Sequence, residues 1–147
     1  MEKIVFDSGV KEYRINGGNV LRFNPGDPNV FARFLEAADK IRGLEADLQR
    51  QAKALEATAD GAVVVKLMAD ADKQMKQILS WVFGQDNDFD LLLSGVNLMA
   101  IAGNGQRVVT NLFEALQPVL VAGAQQYAQQ KTQAAVKKAQ ARRAAGC

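Results

Sequence analysis

The spacing of apolar residues separates a β-rich beginning of the chain from a helical remainder. Up to Pro25 the chain has three short runs rich in β-forming residues, at 3–6, 12–15 and 20–23, and apolar and polar residues alternate in the last two. Alternation with a period of two is typical of strands that bury one face. The turn sequence Asn16-Gly17-Gly18-Asn19 separates the last two runs and supplies the positive φ angles that a tight hairpin requires. We therefore expect a β-hairpin within 1–25, with 3–6 as a candidate third strand.

A long first helix is predicted to follow this hairpin. Asp27 provides an acceptor for the N-cap and Pro28 suits the first helical position. Apolar residues then stand seven apart: Phe34, Ile41, Leu48 and Leu55. This period is close to 3.5 residues and indicates a coiled-coil-like seam. The sequence leaves open whether the seam is internal core or an interface with another chain.

Three further helices are predicted from the same periodicity. The second begins after a break at 58–61, ends at Gly84 and returns against the first as an αα-hairpin. The third is expected to start at 85–88 and to reach Ile101, and Gly103-Asn104-Gly105 then breaks the chain. The last helix should begin at Gln106, with Pro118 as a candidate kink.

These elements predict an α+β fold that is mostly α, with an N-terminal β-hairpin followed by a bundle of about four helices, the last of them long. We expect one globular domain over 1–130, in which 1–25 is the hairpin and 28–130 the bundle. Beyond it, 131–147 is rich in alanine and glutamine and carries five cations but no acidic residue. This basic segment is interpreted as a helical or frayed tail rather than a nucleic-acid-binding tail, because it has no aromatic residue.

Composition removes most catalytic chemistry. The 147 residues include no histidine and a single cysteine, Cys147, so the commonest general base and any intrachain disulfide are absent. The run Asp86-Asn87-Asp88-Phe89-Asp90 begins like a calcium loop, but Leu91 and Asn97 replace its glycine and its glutamate. Helix capping is the better interpretation. We expect no enzymatic activity, no cofactor and no metal.

Hydropathy argues against a membrane location. No apolar run approaches the ~18 residues of a membrane span, and the opening sequence MEKIVFDSGV lacks the basic start and apolar run of a secretory signal. We therefore expect a cytoplasmic protein.

Trp81, with Phe83 and Phe89 nearby, is interpreted as a core anchor rather than a base-stacking platform, since acidic residues surround it.

Several segments together carry a family resemblance. They are the hairpin with its Asn-Gly turn and the exit Arg-Phe-Asn-Pro-Gly-Asp-Pro within 11–39, the region 78–90 with Ser-Trp-Val-Phe-Gly, and 97–116. In these segments the chain resembles tail assembly chaperones, small proteins encoded in the tail-gene regions of phages and prophages of Gram-positive bacteria.

The resemblance implies a non-enzymatic scaffold that coats the tape-measure protein in the host cytoplasm, self-associates and is absent from the finished virion. A helical partner requires an apolar helical surface, for which the candidates are Phe31, Phe34, Ile41 and Leu48. Two alternatives remain: a phage-encoded protein that inhibits or triggers a host defence system by binding it, and a structural virion component such as a head-tail connector.

Overall fold

The computed structural model describes residues 1–55 and 61–145 and confirms the expected α+β fold. Its elements in chain order are β1 (Lys11–Arg14), β2 (Val20–Phe23), α1 (Pro28–Leu55), α2 (Gly61–Phe83), α3 (Phe89–Leu92) and α4 (Val108–Ala145). Most of the predicted break at 58–61 and the last two residues of the predicted tail lie outside the described residues.

The hairpin forms where the sequence predicts it. β1 and β2 are antiparallel, with Lys11 opposite Phe23 and Arg14 opposite Val20. Asn16 and Gly17 both have positive φ, at 49° and 72°, as a tight turn with right-handed strand twist requires. One face of the hairpin is apolar and packs on the helices, because Leu21 and Phe23 are buried there.

The candidate third strand at 3–6 is not formed: the only sheet in the described residues has two strands. The chain changes direction just before β1, where Gly9 has a φ of +75°. Asn24 Nδ2 donates a hydrogen bond to the Ser8 carbonyl at 3.1 Å and holds this bend against the end of β2. Residues 3–6 therefore leave the hairpin with no strand beside them, although their sequence favours β structure.

α1 and α2 form the predicted antiparallel pair, and their boundaries follow local chemistry. Asp27 caps α1, since its Oδ1 accepts a hydrogen bond from the Asn29 amide at 2.9 Å. α2 ends at Gly84, whose φ of +112° is accessible to glycine and whose amide donates to the Ser80 carbonyl at 2.9 Å. The two helices supply about half of the buried core: Val30, Phe34, Ala37, Ile41, Leu48, Ala71, Met75, Leu79, Val82 and Phe83.

The predicted third helix up to Ile101 is wrong beyond its first turn. α3 comprises only Phe89–Leu92, capped by Asp88, and Ser94 and Gly95 then adopt positive φ. Leu98 and Met99 are buried in the loop that follows, so the apolar run predicted as helix is a buried loop. The Leu98 amide donates to Asp72 Oδ1 at 2.7 Å, a tertiary bond that replaces helical hydrogen bonding.

α4 begins two residues later than predicted and crosses the turn that follows β2. Val109, Leu116 and Leu120 form its buried stripe, and Pro118 lies inside the helix at an exposed position. From Gln125 to Ala145 every residue is exposed. Among the described residues, no helix combines the length and apolarity that a membrane crossing needs.

Candidate protein-interaction surfaces

The residues predicted to bind a partner are mostly core residues. Phe34, Ile41 and Leu48 are only 5%, 1% and 4% exposed, and Phe31 is half-buried against the same core. The seven-residue seam of α1 therefore packs inside the chain, against α2 and α4. Any docking surface on α1 must use the residues beside this seam.

Such a surface exists between α1 and α4. A groove of about 320 Å³ runs between the two helices, with Phe34, Ile41 and Phe113 in its lining. The rings of Phe34 and Phe113 lie 5.2 Å apart, so the groove has an aromatic floor. Leu35 lines one wall and is 53% exposed. We call this feature the α1–α4 groove; its remaining lining residues are Ala38, Arg42, Glu45, Thr110, Glu114 and Gln117.

The rim of the α1–α4 groove is more acidic than basic. Arg42 NH1 lies 3.7 Å from Asp39 Oδ1, so its charge is partly compensated along α1. Glu45 and Glu114 form no ion pair with any described residue. An apolar floor between two uncompensated carboxylates suits an amphipathic helix whose apolar stripe is bordered by basic side chains.

A second, larger depression lies between the hairpin and α4. Its volume is about 590 Å³, and we call it the hairpin–α4 cleft. The apolar side chains that line it come from three parts of the chain: Tyr13, Ile15, Leu21, Phe23, Leu92, Leu93, Val96, Val108, Leu112, Leu116 and Val119. Arg14 is the one charged residue in the described lining. Asn16, Ser94 and Asn111 add uncharged polar groups, so the lining is mainly apolar with a few polar side chains.

The chain also contains a buried ionic cluster, which is the arrangement closest to catalytic chemistry. Lys76 is 7% exposed, and its Nζ lies 2.8 Å from Asp72 Oδ2 and 2.6 Å from Asp90 Oδ1. Asp72 also accepts the hydrogen bond from the Leu98 amide. The cluster therefore joins α2, α3 and the following loop, and every buried side-chain polar atom of the described residues has a partner.

The protonation of Lys76 favours a structural role for this cluster. Burial by itself lowers the pKa of Lys76, but hydrogen bonds and the negative charges of Asp72 and Asp90 outweigh it, so its pKa is raised. A lysine that acts as a base or nucleophile needs the opposite shift, to a lower pKa. With its ammonium protonated and held between two carboxylates, Lys76 ties the elements together.

The acidic run 86–90 has the capping role that the sequence indicated. Asp88 Oδ1 accepts the amides of Asp90 and Leu91, at 3.0 and 3.2 Å. Asn87 instead reaches the hairpin and Asp90 pairs with Lys76, so the side chains point to three different places. No group of three or more potential ligands from His, Cys, Asp or Glu assembles within 1–55 and 61–145.

Trp81 is a partial core anchor. Its ring is half-buried at the edge of the core, and two cations of α1 lie against it. Lys40 Nζ is 4.8 Å and Arg33 Cζ is 5.7 Å from the ring centroid. These cation–π contacts help to fasten the start of α1 to the end of α2.

Neither depression could be located from the sequence, although Phe113 gave a signal for the groove. In α4 the buried stripe follows Val109, Leu116 and Leu120, and Phe113 lies beside it. A large aromatic residue next to a helix's own core stripe widens the apolar face toward a neighbour.

No protein-family model, curated protein or solved structure matches this chain.

Proposed function

We propose that this protein is a non-enzymatic scaffold that binds a helical segment of another protein in the α1–α4 groove. The observation that carries the proposal is the groove itself, with an aromatic floor, the exposed Leu35 and two carboxylates that form no ion pair with a described residue. The buried cluster around Lys76 supports a role without catalysis, because the Lys76 ammonium is held between the carboxylates of Asp72 and Asp90.

The resemblance to tail assembly chaperones supplies the class of partner. A tape-measure protein is a long helical chain, and an open groove between two helices presents the surface that an amphipathic helix needs. The proposal is therefore a cytoplasmic chaperone that self-associates and coats a tape-measure protein during phage tail assembly. The partner helix would place apolar residues on Leu35 and Phe113 and basic residues near Glu45 and Glu114.

Capture of the partner tests this function. The tagged protein is recovered from cells that also express the tail genes neighbouring its own, and bound proteins are identified by mass spectrometry. Enrichment of a long helical tape-measure protein is the expected result. Enrichment of a host defence protein would replace the proposal with the defence-binding alternative, and recovery of the protein in purified virions would replace it with a structural role.

A matched pair of variants connects the result to the groove. Leu35→Asp puts a charge on the apolar wall of the groove and is expected to reduce partner capture at least about tenfold. Leu91→Asp makes the same change at a residue of α3 that is also exposed and lies outside the groove. Equal capture by both variants would show that the partner binds elsewhere.

A further inference from the structure

The segment before β1 exposes apolar side chains in an unusual way. Ile4, Val5 and Phe6 are 91%, 88% and 77% exposed, and they are consecutive. Isolated exposed apolar residues are common on protein surfaces, but three adjacent large ones indicate an interaction site. We call residues 3–6 the apolar arm. Its sequence has the composition of a strand, yet no strand pairs with it.

The arm starts from a fixed point. Asp7 Oδ1 accepts the Gly9 amide at 2.9 Å, and Asn24 Nδ2 donates to the Ser8 carbonyl. A Cβ at Gly9 would come within 2.6 Å of Asn24 Nδ2, so the bend is closely fitted to the turn after β2. The arm therefore leaves the domain from a defined position.

The hairpin has a free strand edge with which a further strand could pair. The outer edge of β1 receives no backbone hydrogen bond from any described residue outside the hairpin. The outer edge of β2 is different, because the side-chain amide of Asn87 already occupies it at Arg22. The free edge borders the hairpin–α4 cleft, whose lining includes Tyr13 and Ile15 of the β1 segment.

Charge is complementary between arm and acceptor. Glu2 and Asp7 flank the apolar arm, which itself carries one cation, Lys3, so the segment 2–7 has a net charge of −1. Neither Glu2 nor Asp7 forms an ion pair with a described residue. On the acceptor side, Lys11 and Arg14 of β1 carry charges that are likewise unpaired among the described ion pairs. These opposite charges attract the arm to the edge of β1 and oppose binding of basic segments there.

We propose that the apolar arm of one copy adds a strand to the free edge of β1 in a second copy. Because side chains alternate along a strand, Ile4 and Phe6 then face the hairpin–α4 cleft and Val5 faces away. The arm and the edge of β1 are different surfaces, so the contact is heterologous. Two copies that exchange arms form a closed dimer, and copies that each pass the arm to the next form an open chain. This interface deepens the proposed scaffold function by naming its self-association surface, and it leaves the α1–α4 groove free.

Sedimentation velocity of the full chain over a range of concentrations measures the association. We expect the mass of the unaltered protein to rise with concentration, and Ile4→Asp to weaken association at least about tenfold. The control is Val65→Asp, which places the same charge at an exposed aliphatic residue of α2 and should leave association unchanged. A protein that remains monomeric throughout, or equal effects of both variants, would overturn the inference.

Disulfide trapping identifies the acceptor. In a Cys147→Ser background, Ile4→Cys and Val96→Cys are made in separate copies, since Val96 lines the cleft and is partly accessible. Mixing and mild oxidation should give a disulfide-linked dimer, whereas Ile4→Cys with Val65→Cys should not. A monomeric disulfide in dilute protein carrying both Ile4→Cys and Val96→Cys would place the arm in its own cleft and contradict the proposal. The scaffold function is tested separately by partner capture with the Ile4→Asp variant. If this variant still captures the partner, the scaffold function stands even where the self-association proposal fails.

Discussion

The side chain of Asn87 pairs with the backbone of Arg22 as a neighbouring strand would. Asn87 Oδ1 accepts the Arg22 amide at 3.0 Å, and its Nδ2 donates to the Arg22 carbonyl at 2.8 Å. Nδ2 also donates to the Phe83 carbonyl at 2.9 Å, next to the end of α2. One buried amide therefore joins the hairpin to the helical bundle and closes the outer edge of β2.

Asn87→Ala is expected to lower the free energy of unfolding by about 2–3 kcal/mol, because three hydrogen bonds of a buried amide are lost. Urea denaturation followed by circular dichroism measures the change. Asn104→Ala serves as the control, since Asn104 is exposed and bonds to Asn111 at the surface. It should cost less than about 1 kcal/mol, and an equal cost at both positions would contradict the role given to Asn87.

Gly123 is expected to tolerate no side chain. A Cβ there would overlap the carbonyl oxygen of Pro25, where α4 crosses the turn after β2. Gly123→Ala should therefore destabilise the protein by about 1–3 kcal/mol through overpacking. Gly43→Ala is the matched control within α1, where an added Cβ meets no atom within 4 Å. The control should stabilise by roughly 0.5–1 kcal/mol through helix propensity, so thermal melts should shift in opposite directions.

Leu48→Asp is expected to unfold the protein. The change removes a core side chain and buries a charge without a partner, a cost comparable to the ~5–15 kcal/mol total stability of a typical domain. Leu35→Asp changes an exposed residue of the same helix and should remain folded. Circular dichroism with light scattering distinguishes the two. A folded monomer with Leu48→Asp would show that the seam is not the core.

The buried lysine predicts a pH dependence at the alkaline end. Because the folded-state pKa of Lys76 is raised, its contribution to stability is fully present below the unfolded-state pKa of about 10.4. It is lost as pH rises through the folded-state pKa. Lys76→Met lacks this contribution and should be less stable by about 3 kcal/mol at pH 8, since Asp72 loses its charged partner. The stability difference between the two proteins should narrow above about pH 10.4, and a constant difference would contradict this account.

The sequence predicted correctly the structural features that are determined by neighbouring residues. The Asn-Gly turn, the Asp27 cap and the Gly84 stop depend on residues within a few positions, and all three are confirmed. The helix expected to reach Ile101 failed because Asp72, 26 residues away, binds the Leu98 amide and holds a loop. Apolar periodicity cannot distinguish a buried loop from a helix when such distant bonds decide.

The candidate surfaces were less predictable than the elements. The seam of α1 was correctly recognised as apolar, but whether it formed core or interface depended on α2 and α4 packing against it. The α1–α4 groove combines residues near 40 with residues near 113, and the hairpin–α4 cleft combines three separate segments. Such proximity arises from tertiary packing and leaves no periodic trace in the sequence.

The exposed half of α4 gives the molecule a large electric dipole moment. Five of the 18 cations and none of the 16 carboxylates lie beyond position 130, so residues 1–130 carry a net charge of −3 although the whole chain carries +2. Because residues 1–130 are negative and the end of α4 is positive, the molecule is oriented by the electric field of a charged surface before contact. This preorientation fades with added salt, since the Debye length is only about 8 Å at physiological ionic strength.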